Sequence, residues 1–456
     1  LNVEAIKGVL TFTEDRISSS RLDARALGYP LQGRLSSDAQ ATYLDIDGVT
    51  SIDKLQKQFS FLQSDVAKGK FAYAGKLILP YEQSLPGSLR IGSDLKGVAI
   101  DSQPSLSKTA AEERPLNLAF QFEDGSELPL QLSYGSELSG YFLIDKKQEM
   151  LRSGHIVFGQ GQAGRFEETG LKLDIRQPSF NLSQAAGAFG GNASSRLPAL
   201  REVSVDTEQL VWQGQALGPL HGRMRFGDRY WQGSIDSAMA KGRFSIPEQL
   251  HANQPIELDM DFLNLSAMDK FNLEHADEAV TELPLIDIDS VQLLWRGVNL
   301  GALLLQTERV GNGIHFKTVQ LQSGKRKINL TADWLKQPTG TVTQIKGTLQ
   351  AEKFGDLLSQ LAFSDDFKET SADIGFKGGW RGGPHQFSLD RLNGVLQLDL
   401  KDGRISSIEP GFGRLLGLIA MEQWVKRLSL DFSDVYRQGL AFDQIKGRIK
   451  IKDGLA

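Results

Sequence analysis

The chain has 456 residues, 40% of them hydrophobic and 8% aromatic, with 47 Gly against 15 Pro, a balance that suits a β-protein with many turns and enough apolar material for a core. Its 51 Lys and Arg against 56 Asp and Glu leave a net charge of -5 with no long run of one sign, which argues against a nucleic-acid partner, since that needs a clustered basic face. Cysteine is absent, excluding disulfides, thiolate metal sites and a Cys nucleophile, and no apolar run approaches the roughly 18 residues of a membrane-spanning helix.

Patterned sequence begins at once, without an initiator Met or a basic-then-apolar leader, so the chain is expected to be cut from something longer, with any signal or anchor outside it. Residues 8–13, 16–22, 29–35 and 39–46 read as short strands. Between 51 and 69 the period changes: Ile52, Leu55, Phe59, Leu62 and Val66 fall at helical spacing, with Ser51 as N-cap. The spacing predicts a helix lying on a sheet. Strands resume over 71–79 and 89–100, and 102–115 is a polar connector holding Pro104 and Pro115.

From Leu116 the alternation is cleanest. Leu116, Leu118, Phe120 and Phe122 are followed by Leu128, Leu130 and Leu132, then by 141–145, 155–158 and 171–175. Residues 1–176 are read as the N-terminal part of one β-groove, and 177–198, rich in Ala, Gly, Ser and Asn, as a flexible loop. Beyond it an internal repeat appears. Residues 205–218 align without gaps on 288–301: Asp206, Gln209, Leu210, Trp212, Gly214, Leu217 and Gly218 meet Asp289, Gln292, Leu293, Trp295, Gly297, Leu300 and Gly301. This sets repeat unit one at 199–283, repeat unit two at 284–390 and a C-terminal segment at 391–456.

In the first copy Ile256, Leu258, Met260 and Phe262 alternate with Glu257, Asp259 and Asp261, the sharpest apolar-in, charged-out strand of the chain. Strands 313–322 and 327–334 match it in the second copy. Phe354, Leu357, Leu358 and Leu361 predict a helix over 352–363, and strands 386–389 and 394–400 lead to a last helix, 412–426, read as packing over a sheet end rather than lying at a membrane interface. At the C-terminus Leu428, Leu430 and Phe432 alternate with Ser429 and Asp431, and Ile445, Ile449 and Ile451 are interleaved with Lys446, Arg448, Lys450 and Lys452. One face is apolar and the other wet.

Motifs that suggest chemistry do not hold together. Gly159, Gly161 and Gly164 match the dinucleotide fingerprint in form, but those glycines must open a helix, and here the strand 171–175 follows at once. A glycine-rich hairpin loop is expected instead. Ser105 and Lys108 match SxxK without its partner motifs. His155, His221, His251, His275, His315 and His385 stand singly, without metal-ligand spacing, while Asp45 with Asp47 and Asp287 with Asp289 share the solvent face of their strands. No enzyme, metal site or cofactor is expected.

Residues 401–456 resemble the AsmA-like C-terminal region of YhdP-type, TamB-related bacterial envelope proteins, most specifically at 413–417, 428–435 and 439–442. Asp94, Leu95, Lys96 and Gly97, followed by 104–115, resemble another stretch of the same family, and only 421–425 depart from its pattern. The resemblance implies an elongated, curled antiparallel β-sheet forming a hydrophobic groove of repeating AsmA-like units, with a few short amphipathic helices. It also implies a periplasmic body anchored in the inner membrane by a helix outside this chain. Its cargo would be phospholipid, moving between inner and outer membrane in support of the outer-membrane permeability barrier.

Exposing an acyl chain of about sixteen carbons to water costs on the order of 13 kcal/mol, so such a carrier needs continuous apolar lining. Leu118, Phe120, Leu130, Leu173, Leu258, Met260, Phe262, Leu398 and Leu430 are the residues expected to supply it, a closed protein core being the alternative for each. A rival reading from another class is an envelope scaffold or chaperone that offers sheet edges to outer-membrane proteins.

Overall fold

The computed structural model describes residues 3–58, 66–102, 105–183, 197–250, 253–266, 277, 279–361, 364–405 and 440–454. The chain divides into two compact units, Leu1–Phe226 and Gly227–Ala456, and each is built on β-sheet.

In the first unit the strands begin with β1 (Val3–Gly8), β2 (Thr11–Phe12), β3 (Ile17–Ala26), β4 (Tyr29–Ser37), β5 (Ala41–Ser51), β6 (Ala67–Pro80), β7 (Gly87–Ser93) and β8 (Val98–Ile100). They continue as β9 (Leu116–Phe122), β10 (Glu127–Tyr134), β11 (Leu138–Asp145), β12 (Met150–Gly159), β13 (Gly170–Arg176), β14 (Ser179–Asn181), β15 (Leu200–Trp212) and β16 (Gln215–Gly227). From β3 to β7, and from β9 to β12, each strand pairs antiparallel with the next, β7 joining β9. Short β1 and β2 flank β3, and β8 pairs with the start of β6.

The second unit holds β17 (Tyr230–Ser237), β18 (Ala240–Pro247), β19 (Ile256–Asn264), β20 (Ile286–Trp295), β21 (Val298–Val310) and β22 (Gly313–Ser323). After them come β23 (Arg326–Gln337), β24 (Gly340–Ala351), β25 (Phe367–Lys368), β26 (Ser371–Arg381), β27 (Asn393–Ile405) and β28 (Leu440–Ile451). Pairing is antiparallel from β20 through β24 to β26, β27 and β28.

The sheets are mixed rather than purely antiparallel. β12 pairs parallel with β13, β13 and β14 parallel with β15, and β19 parallel with β20. A parallel neighbour requires the chain to cross back over the sheet, so the glycine-rich 159–164 stretch is the start of a crossover, not a hairpin loop. Gly159 (φ 95°) and Gly161 (φ 114°) make its left-handed turns.

Two helices are short. α1 (Ile52–Gln58) brings Ile52 and Leu55 onto the sheet, while the rest of the predicted helix either falls outside the described residues or, from Ala67, is already β6. α2 (Phe354–Gln360) occupies the centre of the helix expected over 352–363. The strand expected over 386–389 is instead two 3-10 turns, Pro384–Gln386 and Leu389–Arg391. Pro384 has no N–H for a ladder, and the Trp380 Nε1 hydrogen bond to the Gly383 carbonyl holds the chain in the turn. The last predicted helix, 412–426, lies outside the described residues.

The internal repeat is a pair of equivalent hairpins. Gln213 (φ 48°) with Gly214 (φ 75°), and Arg296 (φ 48°) with Gly297 (φ 78°), form the two-residue turns, whose double positive φ matches strand twist. Gly218 and Gly301 repeat a left-handed residue opposite Leu210 and Leu293. The structure extends the repeat upstream to Asn181-Leu182-Ser183 and Asn264-Leu265-Ser266. In each, the Asn Oδ1 accepts the Ser N–H, at 3.1 and 3.0 Å, and the Ser Oγ accepts a turn N–H, from Gln213 and Gly297, at 3.0 Å in both.

Candidate functional site: the apolar face of each sheet

Because side chains alternate along a strand, register decides which residues share a face. In the first unit, Leu35 pairs with Leu44, Leu44 with Leu77, Leu77 with Leu89 and Leu89 with Phe120. Phe120 then pairs with Leu130, Leu130 with Phe142 and Phe142 with Gly154. The row beside it runs Ile91, Leu118, Leu132, Gly140, Ile156, Leu173, Val203 and Met224. All these neighbours lie on one face. The reverse face carries Arg34, Asp45, Lys76 and Arg90 in one row and Asn117, Ser133 and Ser139 in another.

The second unit repeats the arrangement. Phe244, Leu258, Ile288, Leu305, Val319 and Leu330 are successive cross-strand partners. Leu330 leads to Gly347, Phe376, Leu396 and Ile449. The reverse face of the last strands is Gln350, Asp373, Asp399 and Lys446.

Most of the apolar row is half-buried rather than closed off: Leu44, Leu77, Leu89, Leu118, Phe120, Leu130, Phe142 and Ile156 in the first unit, and Leu258, Ile288, Leu305, Leu330, Phe376 and Leu396 in the second. A large apolar side chain left half in water forgoes about 1 kcal/mol against full burial. A continuous row of them is unfilled binding capacity for something apolar.

Among the described residues, the apolar face of each unit is roofed near strand ends. In the first unit, residues 94–102 and 105–114 with α1 pack on Phe71 and Tyr134, burying Leu95 and Val98. Lys108 pins this roof by donating to the carbonyls of Leu95, at 2.9 Å, and Val98. Burial pushes its ammonium pKa below the ordinary lysine value, and its engagement with carbonyls gives it no part in an SxxK arrangement. In the second unit one end is covered by 279–285, with Val280 and Leu285 on Ile314 and Trp334. The Asp277 carboxylate accepts hydrogen bonds there from Trp334 Nε1 (3.2 Å), Thr341 Oγ1 (2.6 Å) and Gln386 Nε2 (2.6 Å). At the other end α2 places Phe354 and Leu358 in a cluster with Ile374 and Leu400, while Leu361 packs against Leu263, Leu293 and Leu303.

Of the nine residues singled out from sequence, Leu118, Phe120, Leu130, Leu258 and Leu398 lie half-buried on the apolar face, Leu398 between Ile374 and Gly447. Leu173 and Met260 lie on the same face but are 5% and 3% exposed. Phe262 does not. A register shift opposite Lys241 and Gly242 pairs Met260 with Gly242 but Phe262 with Lys241, so Leu263 takes the apolar place. Leu263 is accordingly buried with Leu293, Leu300 and Leu303. The bulge rests on Gly242 (φ 151°), which alternation cannot reveal. Leu430 lies outside the described residues.

A polar cluster lies on the reverse face of the first sheet. His155 Nδ1 accepts the Gly164 N–H at 2.9 Å, so its Nε2 donates to Asp174 at 3.1 Å, and Ser204 Oγ donates to the same carboxylate at 2.7 Å. Burial pushes the Asp174 carboxyl up, but the hydrogen bonds from Ser204 and His155 and the Lys172 charge outweigh it and hold the carboxyl below its ordinary value. Ser204 bonds to Asp174 rather than to the imidazole, so the three do not form a nucleophile relay. They fasten the crossover 160–169. No group of three or more metal-ligating side chains occurs among the described residues, and no helix there is long and apolar enough to cross a membrane.

No solved structure matches the chain. It is similar, at 21% identity over 421 residues, to the intermembrane phospholipid transporter YhdP of Escherichia coli (strain K12); the match takes in 86% of this chain and 32% of that protein, so the chain spans about a third of the relative's length. A family model described as YhdP protein matches residues 1–456, and the chain belongs to that family.

Proposed function

We propose that this chain is part of a periplasmic carrier that moves phospholipid between the inner and outer membranes, with acyl chains lying along the apolar face and headgroups left in water. The observation that carries the reading is the in-register row of half-buried apolar side chains, strand after strand, backed by a reverse face that is mostly polar. Such a surface acts by solvation and needs no bond chemistry. The relative's name supplies the cargo class. Leu118, Phe120, Leu130, Leu258 and Leu398 line the path, Leu173 and Met260 form its deeper floor, and Leu263 replaces Phe262.

The test places a photo-crosslinking amino acid at Leu258 and, separately, at Asp259 in the full-length protein in cells. Adjacent strand positions face opposite ways, so a phospholipid adduct at Leu258 alone supports the path. Adducts at neither position, with peptide crosslinks in their place, would overturn it in favour of an envelope scaffold that binds outer-membrane proteins.

A further inference from the structure

We infer that aromatic rings laid over cross-strand glycines set the depth of the acyl-chain path: Tyr73 over Gly48, Phe142 over Gly154 and Phe376 over Gly347. The inference rests on the lipid reading above and assigns these residues a role in deciding how much chain the path admits. Each ring and glycine are direct partners across neighbouring strands on the apolar face. All three rings are half-buried, and Phe142 and Phe376 belong to none of the roofed clusters.

None of the three has a left-handed φ, and at Gly48 and Gly154 no backbone atom is among the nearest neighbours of an added Cβ, whereas at Gly347 the Asn329 carbonyl also excludes one. What each supplies is the missing Cβ. A Cβ on Gly48 would fall 2.6 Å from Tyr73 Oη and 2.7 Å from its Cζ; one on Gly154 would fall 2.6 Å from Phe142 Cδ1; one on Gly347 would fall 2.8 Å from Phe376 Cζ. The rings therefore lie down into the space a side chain would take. Phe142 reaches a second glycine as well, since a Cβ on Gly140 would meet its Cε2 at 2.5 Å.

Strand side chains otherwise stand roughly perpendicular to the sheet, and an upright phenyl would project into the path. A ring on a glycine gives an apolar floor with low relief. The same device recurs in both units, which suits an apolar face of even depth within each.

Gly154→Ala is the cleaner perturbation, since the added methyl meets only side-chain atoms, of Phe142 and of Leu171 at 3.1 Å, whereas at Gly347 it would also meet the Asn329 carbonyl at 2.3 Å. With a photo-crosslinker at Ile156 in the full-length protein in cells, Gly154→Ala should lower the phospholipid adduct about fourfold, the factor that one lost methylene contact is worth. Adding Phe142→Leu to the same chain should restore it. Phe142→Leu alone should keep or raise it, and Gly164→Ala, where a methyl meets nothing within 4 Å, should leave it unchanged. An adduct in the parent that ignores Gly154→Ala, or that Phe142→Leu fails to restore, overturns the role of the rings and spares the lipid reading. No adduct in the parent at any face position overturns both.

Discussion

Leu130→Glu places a carboxylate in the middle of the open row of the first sheet, between Phe120 on β9 and Phe142 on β11. Strands lie about 4.8 Å apart, so an acyl chain of about sixteen carbons laid across them touches about four strands, with about four methylenes on each. At about 0.8 kcal/mol per methylene, losing one strand's contacts costs about 3 kcal/mol, which slows passage on the order of a hundredfold. The folded protein should suffer less, because a half-buried leucine contributes only about 1 kcal/mol of burial, and Gln131→Glu on the exposed reverse face is the matched control. Photo-crosslinkers at Ile91 on β7 and Ile156 on β12 stand two strands to either side of β10. Passage along the face predicts that Leu130→Glu keeps the phospholipid adduct on the side where lipid arrives and removes it on the other, which also reads the direction of travel. Equal adducts on both sides in a folded Leu130→Glu protein would refute the path.

The Asp174 network predicts acid sensitivity: its folded carboxyl sits below the unfolded value of 3.8, so the stability it contributes is present above that value and is lost as pH falls through the folded value. Urea midpoints from pH 6 down to pH 3 should fall in the parent and fall less in Asp174→Asn; equal pH slopes would contradict the assignment. Lys108 has the opposite linkage. Its folded pKa is below 10.5, so its contribution to stability should rise with pH between the folded value and 10.5, and Lys108→Met should flatten that rise. Near neutral pH the same substitution leaves the Leu95 and Val98 carbonyls without their donor, an expected loss of about 1–3 kcal/mol that a thermal melt would read. In the second hairpin, Gly297→Ala should cost about 1 kcal/mol, since only the positive φ opposes it. Gly301→Ala should cost more, because its methyl would also lie 2.1 Å from the Gln322 carbonyl, and equal melting temperatures for the two would count against that packing.

Alternation made the β class, the positions of most strands and five of the half-buried residues of the apolar face legible, because a period of two is visible in Leu116 to Phe122 without any knowledge of partners. It could not carry Phe262, because one bulged residue inverts every later side chain in the strand and the bulge depends on Gly242 of the neighbouring strand. Nor could it place Phe142 and Ile156 on the apolar face of the first unit, or Phe376 on that of the second, since glycines interrupt the count: Gly140 and Gly154 look like turn residues until register sets them beneath a ring. The parallel steps were hidden for a related reason. A run such as 159–170 reads alike whether it reverses the chain beside β12 or carries it back across the sheet, and only the hydrogen bonds from Ser153 to Phe166 and between Ala163 and Ser139 decide it.

Those crossovers bear on how a sheet can keep an apolar face available. A hairpin leaves both faces bare, but a parallel step sends a connector over one of them, and an apolar connector would bury the row it crossed. In the first unit the 160–169 connector takes the polar face, where Ser139, Ser153 and His155 give its backbone hydrogen-bonding partners. In the second unit the described part of the connector before β20 lies over the apolar face, at the strand end, where the Asp277 carboxylate gathers Trp334, Thr341 and Gln386. A half-buried carboxylate bonded to three donors fixes position more sharply than greasy contact does, because each bond has its own direction. Holding the connector by polar bonds at the margin leaves Leu258, Ile288, Leu305 and Leu330 with apolar surface still to fill, which a carrier of acyl chains requires and a closed core would not.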